Sequence, residues 1–364
     1  VKTTIYPTLR INVFLYNYYS YMPTQATLPP SIAVIGLGYV GLPLALCLAK
    51  KFQVSGYDSD RTRIKELEQH IDRNEDISPT EFGKGNQLHL LSDAGYLFAD
   101  VYIVTLPTPV NADNRPDLRA INQACRLLGE KLKQGDLVIF ESTVYPGATE
   151  EICIPILESV SGLSVNDDFG VGYSPERINP GDRTHRIDNV CKVTSGSSPV
   201  WANKVSDLYR QVVHAHIHEA PTIKVAEAAK VVENTQRDVN IALVNELAQL
   251  FATLQIDTQD VLSAAATKWN FTPYQPGLVG GHCISIDPYY LCHKANSVGY
   301  TPNLMHTSRR LNEGMPAFVA NEIIKLLLEH GLSPLSANVL LLGFTSVSVC
   351  ARCARPLTKF YTTG

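Results

Sequence analysis

The residues whose types and spacing admit chemistry lie in Gly280-Gly281-His282-Cys283-Ile284-Ser285-Ile286-Asp287-Pro288-Tyr289-Tyr290-Leu291. A thiol, Cys283, follows two glycines and a histidine, and an acid, Asp287, follows it by four residues. Glycine-rich backbone lets such a thiol face a cleft, whereas a structural cysteine more naturally sits inside a periodic apolar segment. The chemistry suggested is an oxidation with a covalent intermediate. By itself the pattern is weak, because small buried cysteines are common and inert. Two further stretches add to it. Lys230 and Asn234 are four apart in a long run without proline, so they are neighbours on a helix. Glu176 sits in Ser174-Pro175-Glu176-Arg177-Ile178-Asn179-Pro180-Gly181, either a plain domain junction or a candidate acid, base or water holder.

These groups need an element that delivers a redox partner, and the first half of the chain has one. Ser31-Ile32-Ala33-Val34-Ile35 reads as a strand running into Gly36-Leu37-Gly38-Tyr39-Val40-Gly41 and an apolar helix, with Pro43 tolerated in its first turn. Gly36 makes the turn, Gly38 admits the pyrophosphate to the backbone, and Gly41 lets helix and strand pack closely. A second strand, Val54 to Asp58, ends in a carboxylate that can accept both ribose hydroxyls and repels a 2′-phosphate, which favours NAD over NADP. Arg61 or Arg63 could cover the adenine or its phosphate, and a solvated helix face explains them equally well. Thr108, in the loop after the strand 100–105, has the position of a cofactor contact.

Strand candidates at 137–140 and 169–173, with helices over 116–133 and 150–157, continue the alternation into a doubly wound α/β fold. The stretch 74–87 reads as a connection. Ala220 to Leu254 reads as one long helix with Pro221 in its first turn. It carries a polar stripe of Lys224, Glu227, Lys230, Asn234, Asn240 and Asn245, and broad apolar coverage from Ile241 to Phe251 that suggests an interface and a homodimer. Further helices are expected over 257–266, from a start at Asp287-Pro288 through Ala295, and over 302–329, the last with Pro316 as a potential kink, and a strand over 338–343. The implied domains are an irregular extension (1–30), an NAD-binding Rossmann-type domain (31–219), a central helical domain (220–330) and a C-terminal remnant (331–364).

Composition narrows the partners. A formal charge of −4 with 18% charged residues gives no basic field for nucleic acid. Eight cysteines without a visible secretory signal favour a reducing, cytoplasmic setting. Cys350 and Cys353 have zinc-like spacing but no second half-site, so no metal is expected. No apolar run reaches the roughly eighteen residues of a membrane span.

Together Gly36 to Pro43, Ser142-Thr143-Val144 with Pro146-Gly147, Ser174 to Arg177, Glu227 to Asn234 and Gly280 to Leu291 resemble the UDP-glucose/GDP-mannose dehydrogenase family over roughly Ser31 to Phe344. Within it they are most similar to the bacterial UDP-N-acetylhexosamine dehydrogenases of capsule, O-antigen and Vi-type polysaccharide synthesis. The resemblance implies that a sugar-nucleotide C6 alcohol is oxidised twice to a carboxylate with two NAD. Cys283 would form the thiohemiacetal and thioester, and Lys230, Asn234 and Thr143 would bind the reacting oxygen or a water. Glu176 and Asp287 would serve thioester hydrolysis, with the proton not apportioned between them. The cofactor contacts it implies are Gly36, Gly38, Tyr39, Val40, Gly41, Asp58, Arg63, Thr108 and Thr143. Glucose, N-acetylglucosamine, N-acetylgalactosamine and N-acetylmannosamine stay open as the sugar. The stretch up to Tyr21 and the residues after Thr345 depart from the family pattern, where a C-terminal α/β nucleotide-binding domain would follow. Reading-frame changes or truncation, with weak or absent activity of this exact polypeptide, are therefore expectations. A noncatalytic NAD-binding or oligomerising remnant is the competing reading.

Overall fold

The computed structural model describes residues 29–82, 87–178, 182, 184–280 and 284–340. The chain alternates through β1 (Ile32–Ile35), α1 (Gly41–Leu48), β2 (Val54–Tyr57), α2 (Arg61–Glu68), α3 (Pro79–Phe82), β3 (Leu88–Leu91), β4 (Val101–Val104), α4 (Arg119–Gly129), β5 (Leu137–Phe140), α5 (Ile154–Ser161) and β6 (Gly170–Tyr173). It then adds β7 (Lys192–Gly196), α6 (Pro199–Arg210) and β8 (Ile217–Glu219), before the helices α7 (Ile223–Leu254), α8 (Thr258–Ala265), α9 (Asp287–Ser297) and α10 (Asn303–Glu329).

The sheet order is β3-β2-β1-β4-β5-β6-β7-β8, parallel from β3 to β6, with β7 antiparallel to β6. The order reverses between β1 and β4, which opens a crevice at their C-terminal ends. Both faces of the sheet are covered: Ala33, Ile35, Tyr102, Val104 and Phe140 join one core, and Ile32, Val34, Ile103 and Ile139 the other. Two-sided burial explains why β1, β4 and β5 read as unbroken apolar runs rather than alternating ones.

The doubly wound α/β class is as expected; several elements were not. The reading of 74–87 as a connection omits α3, and β3 follows it as a half-buried edge strand. The sequence reading assigns no element between 182 and 219, where β7, α6 and β8 lie. In β7 the buried residues include Lys192, Thr194 and Ser195, so no apolar run marks it. Trp201, Val205, Leu208 and Tyr209 do have helical spacing in α6. Their partner is a notch in β6: a Cβ on Gly170 would fall 2.0 Å from the Trp201 ring, and one on Gly172 2.5 Å from Val205. Pro221 lies outside α7 rather than in its first turn, because Thr222 is the N-cap and accepts from Val225 N at 3.2 Å. Helix α10 runs through Pro316 as one element. Asn338 to Leu340 form no strand, and the rest of that expected strand lies outside the described residues.

Helix α7 buries polar groups beside its apolar ones, Ile223, Ala226, Val231, Ala242 and Val244. Glu227, Lys230, Asn234, Thr235, Asp238 and Asn245 are buried, whereas Val232, Leu243, Leu250 and Leu254 are exposed. The expected polar stripe is therefore packed inside at Glu227, Lys230, Asn234 and Asn245, whereas Lys224 is solvated and Asn240 only half-buried. Its far end is tied to α10: Arg309 Nη1 donates to Asp238 Oδ1 at 2.7 Å, and Asn312 Nδ2 to the same oxygen at 2.8 Å. Asn245 then pairs with both sides of one peptide unit's residue, donating to Gly277 O at 3.1 Å and accepting from Gly277 N at 2.8 Å. This latch holds the chain that leads to Gly280. No helix among the described residues is long and apolar enough to cross a membrane.

Candidate active site

The glycine turn has the shape that a pyrophosphate needs. Gly36 has φ +93°, which only glycine adopts without strain. A Cβ on Gly41 would fall 1.8 Å from Gly36 O and 2.4 Å from the Thr105 hydroxyl oxygen, so helix α1 meets β1 too closely for any side chain. At Gly38, by contrast, a Cβ would meet nothing within 4 Å. The exposed backbone there is open to an incoming ligand at the start of α1, where unpaired N–H groups favour anions. Tyr39 and Val40 complete the turn. Asp58, just past β2, accepts from Leu37 N and from Asp60 N, each at 2.9 Å. Each oxygen keeps a second lone pair for a ribose hydroxyl. Arg63 is buried behind the turn: its Nε donates to Leu37 O at 3.0 Å, and Nη2 lies 2.7 Å from Asp72. Its guanidinium thus spans the turn's own backbone and the Asp72 carboxylate.

A second group of side chains gathers beside this crevice. Lys230 Nζ donates to Glu176 Oε2 at 3.2 Å, and Asn234 Nδ2 to Asp287 Oδ2 at 2.6 Å. All four residues are buried. They come from α7, the loop after β6 and the first turn of α9, so three elements converge on one point. Glu176 Oε1 is buried without a hydrogen-bond partner, an acceptor available to a substrate hydroxyl. Burial pushes the carboxyl of Asp287 up to about 6, against the pull of Lys230 and Asn234 and with Glu176 adding to the rise. Cys283, four residues before Asp287, lies outside the described residues, as do Gly281 and His282.

The loops of β4 and β5 close the same edge. The Thr108 hydroxyl donates to Thr143 O at 2.6 Å, and Tyr290 OH, on α9, donates to Thr108 O at 2.7 Å. Tyr290 therefore ties α9, and with it Asp287, to the two loops named from the sequence as cofactor contacts. Lys230, Asn234, Glu176 and Asp287 are thus brought together, with Thr108 and Thr143 linked to them through Tyr290, while Arg63 stands apart behind the turn. Sequence reasoning does not find Tyr290, Glu141 or Lys192 as parts of this framework. Tyr290 has a local signal, three residues after Asp287 on the same helix. Lys192 Nζ bonds Glu141 Oε2 at 2.7 Å across 51 residues, a pairing without a local signature.

A crevice that admits a dinucleotide beside a buried lysine and two carboxyl groups belongs among the nicotinamide-dependent dehydrogenases. Comparison with known proteins makes this specific. The NAD binding domain of the UDP-glucose/GDP-mannose dehydrogenase family matches residues 30–213, and the central domain of the same family matches residues 224–314. A UDP-N-acetyl-D-glucosamine 6-dehydrogenase of Pseudomonas aeruginosa is 53% identical over 320 residues, covering 88% of this chain and 76% of that protein. Protein CapL of Staphylococcus aureus is 50% identical, covering 88% and 76%. The solved UDP-D-ManNAc dehydrogenase of Pyrococcus horikoshii superposes with a TM-score of 0.80 at 34% identity, covering 86% of this chain and 75% of that one. The chain belongs to the UDP-glucose/GDP-mannose dehydrogenase family, an NAD-dependent class of enzymes, and it spans about three quarters of the length of these relatives.

Proposed function

We propose that the chain oxidises the C6 hydroxyl of a UDP-N-acetylhexosamine, or a related UDP-hexose, to the carboxylate in two NAD-dependent steps, for surface polysaccharide synthesis. The observation that carries this reading is the buried quartet of Lys230, Glu176, Asn234 and Asp287 at the mouth of a dinucleotide crevice. The sugar class is supported by the printed activity of the relative at 53% identity. Gly36, Gly38, Gly41 and Asp58 hold the pyrophosphate and ribose, Thr108 and Thr143 flank the reacting end, and Arg63 braces the turn from behind. Bound NAD supplies the hydride acceptor for each oxidation. Lys230 and Asn234 stabilise negative charge on the C6 oxygen. Cys283 adds through sulfur to the aldehyde carbon, its proton passing to the oxygen; loss of the second hydride from carbon, with release of that hydroxyl proton to the surrounding carboxylates, leaves a thioester. Water then attacks the thioester carbon, the C–S bond breaks and Cys283 regains a proton. Glu176 and Asp287 carry the proton from that water. A homodimer across the outward face of α7, in a reducing cytoplasmic compartment, completes the proposal; exposed Val232, Leu243, Leu250 and Leu254 support the contact.

The test is a panel of UDP-sugars with NADH formation and product mass read together. The expected result is two NADH per sugar and a product that has gained one oxygen and lost two hydrogens. One NADH per sugar with an aldehyde product would point to a simple alcohol dehydrogenase. NAD binding without turnover on any sugar would favour the noncatalytic reading.

The raised pKa of Asp287 gives a signed pH effect. A carboxyl titrating near 6 is a base above that pH and is protonated below it. The kcat/KM profile is expected to fall on the acid side with a midpoint near 6, and Asp287→Asn to remove that limb while lowering the plateau about 10²- to 10⁴-fold. An unchanged acid limb in the variant would assign the titration elsewhere.

A further inference from the structure

We propose that Glu227 is a positioning residue that fastens the loop bearing Thr143 to the helix bearing Lys230 and Asn234. The inference rests on the functional reading of those three residues and adds a part that they do not contain. Glu227 is fully buried on α7, three residues before Lys230 and seven before Asn234, so all three share one helix face. Its carboxylate accepts from Gly147 N at 2.5 Å and from Thr149 N at 2.9 Å. Those donors stand where the loop after β5 turns into a π-helical segment, Thr149–Cys153, and Gly147 has φ +98°. The first N–H groups of a helical segment lack partners within it, and here another helix provides them. Burial pushes the Glu227 carboxyl up to about 7, against the pull of these N–H bonds; in its ionised form the bonds are charge-assisted and roughly twice as strong as neutral ones.

The other end of the loop is also pinned. Glu141, directly after β5, is bonded by Lys192 Nζ at 2.7 Å and by Tyr209 OH. Tyr173 OH donates to Ser142 O at 3.2 Å. The backbone from Glu141 to Thr149 is thus held at its start by the sheet and α6, and at its finish by α7. A shift of α7 relative to Thr143 must break both Glu227 bonds, so this carboxylate sets the spacing between the two halves of the site. Glutamine at 227 would turn an amide NH2 against one of the two N–H donors.

The experiment compares the full chain with Glu227→Gln and Glu227→Asp, using hydrogen exchange of peptides over 142–150 and NAD affinity. The expected result is exchange at least tenfold faster over 142–150 in Glu227→Gln, with protection of α7 beyond Asn234 unchanged and the NAD Kd raised several-fold. Glu227→Asp, which keeps the carboxyl and loses a methylene, is expected to fall between. A cycle with Thr143→Val separates positioning from plain stability: coupled effects on the NAD Kd support the proposal, and additive effects overturn it. Unchanged exchange over 142–150 in a folded Glu227→Gln also overturns it, and so does a Glu227→Asp chain as impaired as one that fails to fold. Absence of turnover with every UDP-sugar would overturn the functional reading alone, since exchange and NAD affinity are read without substrate.

Discussion

Lys230→Met is expected to lower kcat by about 10²- to 10³-fold, the usual loss when one donor to a developing oxyanion is removed, with NAD affinity within about twofold of the parent. Methionine matches the four-atom apolar stem of lysine and removes the ammonium with its charge and its N–H donors. Lys230 is buried, bonds Glu176 at 3.2 Å, and lowers the pKa of Asp287. Its loss acts on the reaction in two ways: the C6 oxygen loses its positive partner, and Asp287 climbs above its already raised value, so less of the base form exists at neutral pH. The acid limb of kcat/KM should then move to higher pH in Lys230→Met, opposite to its disappearance in Asp287→Asn. Stability should fall as well. Breaking a buried ion pair by removing one partner costs about 3–5 kcal/mol, partly offset once the remaining carboxyl binds a proton, so the deficit should narrow in acid. Steady-state kinetics across pH, with thermal unfolding at two pH values, check both parts. A variant with parental kcat and an unmoved limb would remove Lys230 from the mechanism.

Cys283→Ala should have the larger effect on the overall reaction. Without a sulfur to form the thiohemiacetal, formation of the carboxylate is expected to fall by at least about 10⁴-fold, on the scale of nucleophile knockouts in covalent enzymes. NAD binding should persist, because the glycine turn and Asp58 belong to the NAD binding domain matched over residues 30–213, which does not include Cys283. The direct check is product mass after long incubation, together with titration of NAD by the variant. Carboxylate formed at a rate near the parent's would exclude a covalent role for Cys283. Loss of NAD binding together with turnover would show that the substitution damages the fold.

The fold class was legible because its signals are local. A glycine turn between an apolar strand and an apolar helix, followed by Asp58, describes a βαβ unit within about thirty residues. Lys230 and Asn234 were likewise legible, as neighbours on one helix. What escaped reading depended on distant chain. Strand β7 is buried with polar residues whose partners lie elsewhere, such as Ser195 donating to Tyr173 O at 2.9 Å. Glu227 belonged to a visible stripe, but a polar stripe on a helix is equally a wet surface until another layer covers it, and here the β5 loop, α9 and α10 do so. Arg63 was named from its place near Asp58 as a cofactor contact; the fold buries it beside the glycine turn, where Nε donates to Leu37 O and Nη2 faces Asp72, contacts that lie 26 and 9 residues along the chain.

The latch between Asn245 and Gly277 carries one more consequence, for how the chain can vary. Asn245 engages the main chain of residue 277 and nothing of its side chain, and a Cβ at that position would meet nothing within 4 Å. The two partners are therefore unequal in what they tolerate. Position 277 is free to drift to other small residues without unhooking the approach to Gly280. Position 245 admits no such drift, because only a primary carboxamide of that reach presents a donor and an acceptor side by side.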